Sequence, residues 1–182
     1  MTMKAQNHNY PKRTRKGSHM IEGPLAIWMI FVFLFIPFLN LGMSSLRTAF
    51  LNTAVKEAVH RAARSKTYEL TDANGVSAKD LANTVARDAA SRFGGLTVST
   101  VRTAIIATDI NSGVVVRSTD KLATAADTTK NLYQLEVRAT AQVDPFFSFN
   151  LPFLGPIPGL TAPFPLEVAA TEMVEDPDGL NK

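Results

Sequence analysis

Hydrophobic positions along this chain follow three different rhythms. From Gly23 to Leu46 the sequence GPLAIWMIFVFLFIPFLNLGMSSL holds no charged residue, and its apolar side chains recur on every side of a helix. A helix of about two dozen residues, at 1.5 Å each, crosses roughly 30 Å of hydrocarbon. Pro37 removes one backbone hydrogen bond inside this run and predicts a kink. Beyond it, Leu46, Phe50, Leu51, Val55 and Val59 recur at three- and four-residue steps. The helix is therefore expected to continue from about Ile21 to Ala63, its second half projecting as an amphipathic stalk.

After a turn at Thr71–Gly75, the stretch from Ser77 to Phe93 predicts a second helix. Ser77 and Asp80 have capping-box spacing at its start, Leu81, Val85, Ala89 and Phe93 form an apolar stripe, and Gly94–Gly95 ends it. Alanines between them suit close packing on a sheet. The period then drops to two. Thr97–Ile110 is rich in Val, Thr and Ile, a turn falls at Asn111–Gly113, and Val114–Arg117 resumes the strand pattern. After a polar loop at Ser118–Lys130, Tyr133, Leu135, Val137, Ala139, Ala141 and Val143 alternate with Gln134, Glu136, Arg138, Thr140 and Gln142. Such alternation gives a strand with one buried and one wet face. Pro165–Val174 predicts a last strand. The fold class is α+β: a long N-terminal transmembrane and stalk helix, then one helix packed on a three- to four-stranded antiparallel sheet.

A second uncharged run, Pro145 to Leu166, contains Pro145, Pro152, Pro156, Pro158, Pro163 and Pro165. Proline lacks an amide donor and restricts the residue before it, so this run reads as an apolar loop rather than a membrane helix. It either covers the open side of the core or contacts a subunit or the membrane interface.

The net charge of +3 is unevenly spread. Lys4, Lys12, Arg13, Arg15 and Lys16 stand unopposed in the first seventeen residues, whereas Glu172, Glu175, Asp176 and Asp178 crowd the end. By the positive-inside bias the N-terminus stays cytoplasmic and the rest is exported, although Arg47, Lys56, Arg61, Arg64 and Lys66 follow the apolar run. A cleaved signal peptide has a shorter apolar region, and a buried core helix has too little chain around it. The organisation is then a basic leader at 1–17, an anchor and stalk at 18–66, and an exported domain at 67–182 with its apolar loop at 145–165.

The chain has no cysteine, which excludes disulfides and thiol chemistry. His8, His19 and His60 fall in the tail, beside the apolar run and on the stalk, and do not converge. No phosphate-cradling loop, metal-ligand spacing or nucleophile–base arrangement is apparent. The expectation is a non-enzymatic protein with no cofactor, no metal and no nucleic-acid partner.

The segment Lys16-Gly17-Ser18-His19-Met20-Ile21-Glu22, with a basic stretch before it and an uncharged helix after it, resembles a type IV prepilin leader. The resemblance implies cleavage after Gly17 by a prepilin peptidase, with Ser18 as the new N-terminus and Glu22 as the acid that pairs with a freed amino terminus. A carboxylate at the edge of an apolar helix is costly unless paired, and that amine would supply the partner. The whole layout is similar to TadE/TadG-like pseudopilins of tight-adherence secretion systems. Val143-Asp144-Pro145-Phe146-Phe147 and Thr171-Glu172-Met173-Val174-Glu175 match the family's outline of a long strand, an aromatic-proline loop and a final strand. TadG-like relatives carry larger exported regions, so the likeness is to TadE. Gly23-Pro24 departs from the bulky apolar residue usual after the acid. The family implies a minor pilin in the bacterial inner membrane, crossing it once with its C-terminal domain in the periplasm or outside. Its partners would be the peptidase, other pilins, the assembly platform and membrane lipid. An unprocessed, signal-anchored envelope adaptor is the alternative.

Overall fold

A computed structural model describes residues 19–71, 75–148 and 155–182. The chain divides between Pro37 and Phe38 into two units. The first contains α1 (His19–Ile30) and a π-helical turn at Phe31–Phe35. Leu25, Ile27, Trp28, Ile30, Phe31 and Phe33 are all exposed, so this helix is apolar and carries no core around it. The amide of Ile36 donates to the carbonyl of Phe31, one residue farther back than in an α-helix. This wide turn stands just before Pro37, whose ring would otherwise crowd the preceding turn. Helical structure continues without a break from Glu22 to Ala62, and by length and composition this helix can cross a membrane.

The second unit begins with the body of α2 (Ile36–Ala62) and adds α3 (Ala78–Ser91). Four strands follow: β1 (Leu96–Asp109), β2 (Val115–Ser118), β3 (Asn131–Val143) and β4 (Phe164–Met173). They form one antiparallel sheet in the order β2-β1-β3-β4. The alternation read in β3 is realised: Tyr133, Leu135, Val137, Ala139, Ala141 and Val143 are all buried on the helix-covered face. On the opposite face, Glu136 is held by Arg117 and Arg138, and Arg138 reaches Glu167 at 2.5 Å. Pro165 sits on the edge strand β4, where a missing donor costs no central ladder bond.

Two helical stripes differ from the sequence reading. The segment expected to project as a stalk is core: Leu51, Ala54, Val55, Ala58, Val59 and Ala62 are buried, whereas Leu46 is exposed. In α3 the face against the sheet is Ala78, Ala82, Ala86 and Ala90, one position on from the Leu81–Val85–Ala89–Phe93 stripe. The sheet face already carries the bulk, so the helix above it approaches through methyl groups. The larger side chains flank that line, and Phe93 stacks on Phe50 of α2 with ring centroids 3.8 Å apart. The cap at Ser77 forms as expected, its hydroxyl accepting from the Asp80 amide at 3.2 Å.

One irregularity re-aims β1. Ser99 is an extra residue between the pairs Val98–Ala141 and Thr100–Thr140. Arg87 of α3 donates to the carbonyls of Val98 and Ser99, at 2.9 and 3.1 Å, and so satisfies backbone that the ladder leaves open.

The C-terminus closes the far side of the core. Pro177–Asn181 forms a short 3-10 turn, and Leu180 is buried. The Tyr68 amide donates to the Gly179 and Lys182 carbonyls, and the Glu69 amide to Lys182. A side chain at Gly179 would collide with the Lys66 carbonyl. Tyr68 is fully buried, and its hydroxyl reaches the carbonyls of Thr103 at 3.0 Å and Thr119 at 2.9 Å. Burial, with Glu69 and Asp120 nearby, pushes the phenol well above its ordinary value.

Because the folded state holds this proton more tightly than the unfolded chain, its contribution is complete below about pH 10, the unfolded phenol value, and declines above it. Tyr68→Phe is expected to cost about 1–2 kcal/mol at neutral pH. In urea titrations of the full chain in detergent, the variant should also lose less stability than wild type between neutral and strongly alkaline pH.

Candidate functional site

Where the uncharged run ends, one face of α2 is polar and nevertheless buried. Asn40, Ser44 and Arg47 are spaced so that they share that face, with exposures of 0, 7 and 9 %. A polar group in such a run is costly unless it has partners. Asn40 finds them in the proline-rich segment. Its side-chain amide donates to the carbonyls of Phe147 at 3.0 Å and Leu160 at 2.6 Å, and its oxygen accepts from the Phe147 amide at 2.8 Å. One side chain therefore grips both limbs of the loop.

Arg47 makes the second attachment. Its guanidinium donates to the Asp144 carbonyl, at the end of β3, and lies directly against Gly95. Gly95 has φ +77°, and a Cβ there would collide with the guanidinium. The glycine expected only as a helix stop thus also makes room for a buried cation. The Asp144 amide donates to the Gly95 carbonyl at 2.9 Å, which closes the junction of α2, β1 and β3.

Past the grip, the loop satisfies much of its own backbone. The Ile157 carbonyl accepts from Leu160, Thr161 and Ala162, while the Ile157 amide donates to the Thr161 hydroxyl at 2.8 Å. Phe38 and Leu41, which flank Asn40 in α2, and Phe146 and Phe147 of the loop are exposed.

The leader resemblance singles out Gly17, Ser18 and Glu22. Gly17 and Ser18 fall outside the described residues. Glu22 stands exposed in the first turn of α1, where the helix dipole favours a carboxylate. His8 is also outside the described residues. His60 is 3.9 Å from Glu172 on an open groove between α2 and β4, and both side chains are nearly half exposed. Among the described residues, no group of His, Asp and Glu could hold a metal ion.

Sequence reasoning passed over Asn40. The signal was a lone amide in an uncharged helix, which requires a partner, but the partner lies more than a hundred residues away and carries no periodicity. Arg47 was read only as a charge bearing on topology.

Comparison with protein-family models, with curated proteins and with solved structures gives no match.

Asn40→Ala is expected to leave one amide and two carbonyls without their partner and to destabilise the domain by about 2–3 kcal/mol. Limited proteolysis should then cut residues 145–162 faster than in wild type. Asn40→Asp should not rescue, because it retains the acceptor but loses both donors. An unchanged cleavage rate in either variant would contradict the grip.

Proposed function

We propose that this chain is a TadE-like minor pilin or pseudopilin. It is cut after Gly17 by a prepilin peptidase and works in the assembly of a tight-adherence pilus or secretion apparatus, without catalysing a reaction itself. The observation that carries the reading is the order of parts. A basic leader ends at Gly17-Ser18, Glu22 follows, and an uncharged helix leads into a small α+β domain. In this role the helix anchors the protein in the bacterial inner membrane, with the leader in the cytoplasm and the domain in the periplasm or outside. Helix packing against other pilins holds the assembly. Glu22 sets the register by pairing with the amino terminus of a neighbour, since a lipid-edge carboxylate gains most from a nearby cation.

A second reading rests on Gly23-Pro24, which departs from the apolar residue usual after the acid. On that reading the leader remains, and the chain is a signal-anchored envelope adaptor.

Mass spectrometry of the protein from cells holding the matching peptidase separates the two. The pilin reading expects a mature chain that begins at Ser18; an intact leader supports the adaptor. As a second arm, Glu22→Ala should still insert in the membrane while incorporation into the assembly falls severalfold. Normal incorporation would remove the pairing role.

A further inference from the structure

We infer that the two described limbs of the proline-rich loop, residues 145–148 and 155–162, form a membrane-contact element, seated in the outer interface of the bilayer where Asn40 holds them. The inference rests on the proposed anchor, and its occupant is lipid rather than protein.

The first ground is where the loop is attached. Phe147 and Leu160 are hydrogen-bonded to Asn40, which lies inside the uncharged stretch that ends at Arg47. A helix that leaves the bilayer near its first charge holds Asn40 about two turns short of that exit. Whatever is bound to Asn40 sits at the same depth. Phe38 and Leu41 are 64 and 55 % exposed beside it, and Phe146 and Phe147 are 50 and 42 % exposed on the loop. Helix and loop thus each add exposed apolar side chains close to the Asn40 grip.

The second ground is the loop's chemistry. Irregular backbone tolerates low water activity only where its polar groups are satisfied internally. Pro145, Pro156, Pro158, Pro163 and Pro165 bring no amide hydrogen at all. The amides of Phe147, Ile157, Gly159, Leu160, Thr161 and Ala162 all donate within the protein. No residue from Pro145 to Leu166 is charged, whereas the rest of the domain carries charges on nearly every element. Proline is usually understood here as a helix breaker. Its second effect, the removal of donors, suits a segment that leaves water.

The opposite end of the sheet supplies the control. β2 begins at Val115, 60 % exposed and paired with Thr108 about 40 Å along β1 from the Gly95 junction. Since the chain has no cysteine, Phe147→Cys and Val115→Cys each create a unique labelling site, and the single Trp28 reports on the span. Phe147 is gripped through its backbone, so the substitution leaves the Asn40 contacts in place.

The full chain is reconstituted in phosphatidylcholine–phosphatidylglycerol vesicles and labelled with an environment-sensitive fluorophore. Quenching by lipids spin-labelled near the headgroup is compared with quenching by aqueous iodide. The inference predicts that lipid quenches position 147 severalfold more than position 115, with iodide showing the reverse. Iodide access at 147 equal to that at 115, with Trp28 still quenched by lipid, overturns it while leaving the anchor intact. A probe at 147 shielded from both quenchers is covered by protein and overturns it too. If lipid does not reach Trp28, the anchor reading fails and takes this inference with it. The pilin assignment is decided separately, by the mass of the mature N-terminus.

Discussion

The side-chain amide of Asn40 and the guanidinium of Arg47 do for the proline-rich segment what ladder bonds do for the strands. Before it enters β4 at Phe164, the described part of that segment pairs with no strand of the sheet, and it has no charged side chain to form an ion pair. Its carbonyls are its strongest polar handles, and each needs a donor when buried. The donors come from the buried polar face of α2. One helix therefore changes character twice. It is apolar all round through Phe35, polar and buried on one face from Asn40 to Arg47, and apolar and buried from Leu51 to Ala62.

This constraint explains several features that look unrelated. Gly95 must be glycine both for its backbone angle and because the guanidinium occupies the space of a side chain. Asp144 contributes its carbonyl to Arg47 and its amide to Gly95, so β3 ends where the cation sits. The alanine face of α3 lets that helix lie close on β1. Phe93 can then stack on Phe50, joining the two helices above the sheet. At the far end, the C-terminal turn returns to Tyr68 and Leu122 and encloses the other edge of the core.

Much of this was legible in the sequence wherever a period carried the information. The alternation in β3 specifies which face is buried, and the observed β1, β3 and β4 differ from the read spans by only a residue or two at the ends. The Ser77 cap is a local contact and was equally plain. Long-range polar contacts were not legible. Asn40 to Phe147, Arg47 to Asp144 and Arg87 to the Ser99 bulge each join residues whose separation follows no repeat. The helical faces were partly misjudged for a different reason: weighting by hydrophobicity favours Leu81 and Val85, but a crowded sheet selects the smallest residue instead. Likewise, Leu51 to Ala62 has the pattern of any amphipathic helix, and that pattern does not say whether the other half of the contact lies in the same chain. Of the proposed processing site, the structure adds only the placement of Glu22 in the first turn of α1.

The central claim is that the uncharged loop and the polar face of α2 form one packed unit within the domain. Hydrogen–deuterium exchange of the full chain in lipid nanodiscs reads it directly at the Phe147 amide. Protection within about an order of magnitude of the β3 amides is the predicted result, since opening the Asn40 grip would then require opening much of the domain. Exchange as fast as at the exposed Ser112–Val114 turn would show that the loop is not held, and the account built on Asn40 would be wrong.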